Sequence, residues 1–218
     1  MNQLEEHFDS ILQLIGYSEN ILELKKIELN KKVEKEIKNL EWDESGYNSG
    51  MLFEIENEFD LSYYSVQNYL LSSTYILSFN LFETSLRILF CKLIRDNSNV
   101  EKSKIYFWKF EDLVKKFKTD FAIDFDEHAS WKTINNYREI RNALTHRNCE
   151  IMLKENTFPE ENATYIAVRF FDTNIVLSKD KKFFKINSKE FIINFKNEII
   201  KFYTNLEPLI NITTETNQ

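Results

Sequence analysis

Glycine and proline are scarce: 218 residues contain three glycines, Gly16, Gly46 and Gly50, and two prolines, Pro159 and Pro208. Glycine supplies left-handed turns and proline stops helices, so their scarcity disfavours a turn-rich β fold and favours long uninterrupted helices. Cysteine is as rare. Cys91 and Cys149 lie 58 positions apart with no CxxC pair, which excludes a disulfide framework or structural zinc site and fits a reducing cytoplasm. No run of 18 residues is apolar and free of charge, and the opening MNQLEEHFDS has neither a basic n-region nor an apolar core. The chain is therefore expected to be cytoplasmic, neither exported nor membrane-spanning. It also lacks a Gly-rich phosphate loop and a GxSxG elbow, which sets aside a nucleotide-driven motor and an α/β-hydrolase.

The net charge is −7. A protein that coats nucleic acid non-specifically needs a broad basic surface, so that class is excluded, while a local basic site is not. Between Trp131 and Asn148, Lys132, Arg138, Arg141 and Arg147 face a single carboxylate, Glu139. Positive charge is concentrated there.

The length suits one domain with an elaboration, and three stretches follow from hydrophobic periodicity. Residues 1–50 form an N-terminal helical arm: Phe8, Leu12, Ile15, Leu22, Leu29, Val33, Ile37 and Leu40 recur at helical spacing, with Gly16 a candidate kink and a charged, solvated second half. ESGYNSG then breaks the pattern. Residues 51–150 form the helical core. In it Tyr75, Phe79, Phe82, Leu86, Leu89 and Leu93 step by three and four along a central buried helix running from about Leu61 to Arg95. Asn80, Glu83 and Arg87 make a polar line on its flank, either a plain Glu83–Arg87 surface pair or groups that face a site. After the polar loop DNSNVEKS, a short helix carries Ile105, Trp108, Leu113, Val114 and Phe117, its aromatics read as core in preference to a nucleobase platform. A fourth helix, from about Glu127 to Arg147, buries Trp131, Ile134, Tyr137, Ile140 and Leu144. Residues 151–218 are expected to pack on the same domain. The β-branched and aromatic segments Tyr165–Phe171 and Ile175–Leu177 around Asp172-Thr173-Asn174 predict a small hairpin, with Phe183–Ile186 a candidate third strand. A last helix, capped by Asn187 and Glu190, runs from Phe191 to Leu209, and the tail NITTETNQ is expected to fray. The fold class is mainly α: an up-and-down helical bundle with a long N-terminal helix and a small β-hairpin before the C-terminal helix.

Of 28 basic residues only six are arginine: Arg87, Arg95, Arg138, Arg141, Arg147 and Arg169. Three fall within ten positions, next to His146, one of three histidines. Where a chain otherwise chooses lysine, arginine has a rationale in gripping a phosphate or carboxylate with its planar fork; the plain alternative is an ion pair with Glu139 or Glu150. On a helix Arg138, Asn142 and His146 share a face, with Arg141 beside it. Guanidinium, amide and imidazole then surround one patch suited to a phosphodiester. His7 and His128 have no ligand-spaced partner and read as surface residues, so no metal is expected. Cys149, three positions from His146, offers a thiol–imidazole pair or an inert packing residue.

The segment YREIRNALTHRNCE, with Arg141, Asn142 and His146 at Arg-Asn-x3-His spacing, resembles the signature of the HEPN superfamily. The spacing with the asparagine arises by chance in roughly one such chain per hundred. The resemblance covers about Leu61 to Asn148, including FNLFETSLRILF. It implies a metal-independent endoribonuclease without cofactor, a toxin or antiphage-defence effector, acting as a homodimer with a composite cleft and in some cases held by an antitoxin. It also implies that Arg141, Asn142 and His146 are catalytic. Accessory RNA contacts would come from Arg138, Thr145 and Arg147, and Glu83 would hold Arg141. In one respect the chain departs from the pattern: HEPN toxins paired with a nucleotidyltransferase antitoxin often carry a tyrosine where Asn148 stands. The alternatives are a catalytically inactive HEPN-like module that binds RNA or protein, and a structural dimerisation bundle.

Overall fold

The computed structural model describes residues 2–39, 47–94, 102–152 and 159–215. Helices α1 (Asn2–Asn39) and α2 (Tyr47–Leu93) are followed by α3 (Lys102–Ile105), α4 (Phe110–Phe121), α5 (Ala129–His146) and α6 (Ala163–Phe170), then strands β1 (Ile175–Leu177) and β2 (Phe184–Ile186), and finally α7 (Glu190–Glu215).

The core forms where α2, α5 and α7 present aromatic stripes to one another. Phe195 of α7 lies within 4.9–6.2 Å, centroid to centroid, of Phe8, Tyr75, Phe79, Phe82 and Tyr137. Most of these pairs are edge-on or tilted, the arrangement that the ring quadrupole favours. On α2, Tyr75, Phe79, Phe82, Leu86 and Phe90 are buried; Leu89 and Leu93 of the expected stripe are half-buried, and Phe90 takes a place in the core. Phe8 and Ile15 of α1 are also buried, so the first half of the N-terminal helix belongs to the bundle. Lys196 to Asp9 (2.5 Å) and Lys189 to Glu19 (3.0 Å) pin it to α7. Helix α1 continues through Gly16 without interruption.

Several expectations are corrected. Tyr47–Gly50 opens α2 and does not form a break, while Glu44–Gly46 lies outside the described residues, as does most of the DNSNVEKS loop. The single short helix expected across Ile105–Phe117 is two, with a turn between α3 and α4. Residues Ala163–Phe170 are a helix instead of a strand: Tyr165 and Val168 are buried on one side with Phe171 just beyond, and the Asn162 side chain accepts from Tyr165 N at 3.0 Å. Capping and a three-residue period thus override β propensity. The hairpin joins β1 to β2 in antiparallel register, Ile175 opposite Ile186 and Leu177 opposite Phe184. At the start of α7 Ser188, instead of Asn187, accepts the Glu190 N–H, at 3.1 Å. The helix carries on to Glu215 through part of the tail expected to fray.

Candidate functional site

Helix α5 starts after a 3-10 turn in which the Asp124 side chain accepts from Asp126 N. It buries Trp131, Ile134, Tyr137, Ile140 and Ala143, which turns Arg138, Arg141, Asn142 and His146 away from the core. The facing wall is α2. Tyr75 Oη donates to the carbonyl of Tyr137 at 2.5 Å, locking the two helices one turn before Arg141. Burial pushes the Tyr75 hydroxyl well above its ordinary pKa, so it remains a donor. The far end of α5 is fixed by the hairpin. Asn148 and Cys149 adopt left-handed backbone (φ 54° and 66°), turning the chain so that Cys149 O accepts from Phe184 N (3.2 Å) and Ile151 N donates to Lys182 O (2.7 Å).

A cavity of about 470 Å³ opens between α2, α5 and the α3–α4 turn, bordered by Glu83, Arg87, Lys109, Arg141, Asn142 and His146. Arg141 sits on the ring of Phe79, 5.7 Å from its centroid. Its NH1 donates to Asn142 Oδ1 (3.1 Å) and its NH2 to Asn80 Oδ1 (3.3 Å), with Glu83 Oε1 at 3.7 Å. The same carboxylate meets Arg87 NH1 at 3.4 Å, and Arg87 NH2 donates to Trp108 O at 3.1 Å. Glu83 thus pairs with Arg87 one turn away and with Arg141 across the interface, and the Glu83–Arg87 pair, expected at the surface, is largely buried. The Nε–H groups of both arginines are buried without an acceptor, a penalty of about 1–3 kcal/mol for each such donor. Around this cavity five cations, Arg87, Lys109, Arg138, Arg141 and Arg147, outnumber the carboxylates Glu83 and Glu111.

The other residues singled out in the sequence are distributed unevenly. Arg138 borders the cavity, with its guanidinium paired to Glu111 and 5.3 Å from the Phe110 ring. Arg147 borders it too, 3.9 Å from Glu139. Arg141 pairs with neither Glu139 nor Glu150. Thr145 spends its hydroxyl proton on Arg141 O at 2.9 Å and does not line the cavity. His146 is exposed at the last position of α5. Burial raises the Cys149 thiol pKa, which keeps it protonated and disfavours a thiolate nucleophile. His128 is half-buried, its Nε2 unpartnered and its ring edge-on to Phe202 at 6.0 Å, so the surface reading of this histidine is corrected.

Lys109 and the Trp108 carbonyl were not legible as site groups, because nothing in the local pattern says that the α3–α4 turn folds back on α2. Among the described residues no cluster of three or more His, Cys, Asp or Glu side chains is arranged to hold a metal ion, and no helix is long and apolar enough to cross a membrane. Comparison of the chain with models of known protein families, with curated proteins and with solved structures finds no match in any of the three.

Proposed function

We propose that the chain is a metal-independent endoribonuclease that cleaves RNA through attack of the substrate's 2′-OH, as a toxin or antiphage effector subject to an antitoxin or regulatory partner. The observation that carries this reading is that Arg141, held by Asn80, Glu83 and Asn142, borders the same cavity as His146. Of the guanidinium's five donors, Asn142 and Asn80 take two, Glu83 lies against the NH2 group and the Nε–H is buried, which leaves the second NH1 hydrogen for a phosphoryl oxygen. In the reaction the 2′-oxygen bonds to phosphorus and the P–O5′ bond breaks. The products are a 2′,3′-cyclic phosphate and a 5′-hydroxyl. His146 moves a proton, a task suited to imidazole near neutrality; Arg141 stabilises the charge that develops on the phosphoryl oxygens; and Asn142 orients Arg141 through its Oδ1. Arg138 and Arg147, already engaged with Glu111 and Glu139, contribute field more than direct contacts.

The cation surplus equally suits a module that binds RNA without turnover. Purified protein is incubated with RNA in EDTA and the ends are mapped. Cyclic-phosphate ends that vanish with His146→Ala and with Arg141→Ala support the enzyme. Binding by the wild type with no cleaved product supports the module, and equal cleavage by His146→Ala overturns the assignment.

A further inference from the structure

The turn between α3 and α4 exposes what most turns hide. Phe107 is 88% exposed and Tyr106 52%, while both shoulders of the turn, Ile105 and Phe110, are buried in the core. These aromatics are thus neither core, as their sequence context predicts, nor loosely held. Phe107 N donates to Lys104 O (3.1 Å) and Trp108 N to Ile105 O (3.2 Å). Trp108 packs edge-on against Phe90 at 5.4 Å, and Arg87 clamps its carbonyl. A solvent-facing phenyl ring on a backbone held in this way forgoes burial worth about 1.5–3 kcal/mol.

Its neighbours indicate what would cover it. Trp108 and Lys109, the next two residues, line the cavity that holds Arg141 and His146, and consecutive Cα atoms are about 3.8 Å apart. An apolar platform beside a surplus of cations matches a ligand that alternates flat apolar groups with anions. A single nucleic acid strand has that form, because its bases are free to stack while its phosphates track the cations. A duplex hides its base faces. A protein partner with an acidic rim would meet the same charge, but the surplus lies within a cavity lined by the two residues that follow Phe107, where a strand can enter.

We infer that Phe107, with Tyr106 at its side, is a stacking ledge for a nucleobase next to the phosphate gripped at Arg141, and that the substrate is single-stranded RNA. The inference rests on the ribonuclease reading only for the placement of that phosphate. Arg87 and Glu83 link the ledge to Arg141 through the Trp108 carbonyl, so base and phosphate are registered by one ion-pair chain.

The test uses the full chain and a fluorescein-labelled, 2′-O-methylated eight-nucleotide strand, which binds without offering a 2′-OH for attack, read by fluorescence anisotropy. The wild type is expected to bind this strand more tightly than its duplex. Phe107→Ala should weaken single-strand binding about tenfold, in line with aromatic–base stacking worth about 1–3 kcal/mol, and Phe107→Trp should keep or tighten it, with the helical circular dichroism of each variant unchanged. Equal affinity of wild type and Phe107→Ala for the strand overturns the ledge, as does failure of the wild type to bind it at all; in that case a protein partner lost on Phe107→Ala identifies the surface as a docking site. If Phe107-dependent binding persists while no RNA is ever cleaved, the ledge stands and the enzyme reading falls.

Discussion

Glu83 Oε1 on α2 lies 3.7 Å from Arg141 NH2 on α5, and its other oxygen lies 3.4 Å from Arg87 NH1. One carboxylate holds two guanidinium groups, all three side chains between 12% and 21% exposed. Removing it leaves two half-buried cations facing each other. Glu83→Gln keeps the shape and removes the charge; it should lower RNA cleavage roughly ten- to a hundredfold, the scale on which mispositioning by an ångström acts, while leaving the helical spectrum intact. Glu83→Ala should in addition lower the unfolding free energy by about 1–3 kcal/mol, seen as a drop in Tm. Unchanged turnover in Glu83→Gln would remove Glu83 from the site.

Cys149 stands three residues after His146, yet burial holds its thiol protonated above the ordinary range. Cys149→Ser should retain cleavage within about twofold, a small change on the free-energy scale. Alkylation by iodoacetamide should be slow at neutral pH and quicken only as pH rises past the ordinary thiol value of about 8.5. Loss of cleavage in the serine variant would revive the thiol–imidazole pair.

Tyr75, Tyr137 and Tyr203 are all raised, chiefly by burial. Their folded-state values lie above those of the unfolded chain, so folding favours the protonated phenols. The contribution is fully present below the unfolded tyrosine pKa of about 10 and is lost as pH rises towards the folded values. Stability should be flat from neutrality to about pH 9 and fall steeply beyond pH 10. Absorbance near 295 nm, followed with circular dichroism, checks this. Exposed tyrosines ionise first, and the buried set ionises only with loss of helix.

Most of the fold was legible because helix period is a direct consequence of burial on one face: the stripes of α2, α5 and α7 are regular, and few glycines or prolines interrupt them. Residues Ala163–Phe170 were misread because β-branched and aromatic residues serve strands and buried helix faces alike, and only the Asn162 cap distinguishes them. The candidate site was legible on α5, since Arg138, Asn142 and His146 follow from one spacing rule. Asn80 and Glu83 were legible as a polar line but not as partners of Arg141, for helix spacing does not reveal which faces meet. The exposure of Phe107 was not legible at all. A turn whose two shoulders are buried cannot be told from a continuous helix by composition.

Scarcity of glycine has a local price at Ala122, which ends α4 at φ 57°. Its N–H donates to Lys118 O at 3.1 Å and Ile123 N to Phe117 O at 3.1 Å, a helix stop usually built with glycine. An L-residue is disfavoured there by about 1–2 kcal/mol. Ala122 is exposed, so little packing is lost on replacement. Ala122→Gly should therefore raise the unfolding free energy by about 1 kcal/mol and Tm by about 2–4 °C, with cleavage unaltered. A lower Tm would mean that the gain in unfolded-chain entropy outweighs the relieved strain.

Cleavage through the 2′-OH wants a base for that hydroxyl and an acid for the leaving oxygen, and the cavity of one chain is bordered by a single histidine, His146, among the described residues. Two copies related by a twofold axis would supply both. Mixed dimers test this without any structure of the assembly. Wild type is exchanged with a threefold excess of His146→Ala protein, so that about one wild-type protomer in four keeps a wild-type partner. If the two imidazoles act together, activity should fall to roughly a quarter of that of the same wild-type protein alone. If each chain is self-sufficient, the excess of mutant should leave the rate where it was, and the proton now assigned to the partner's imidazole would have to come from solvent.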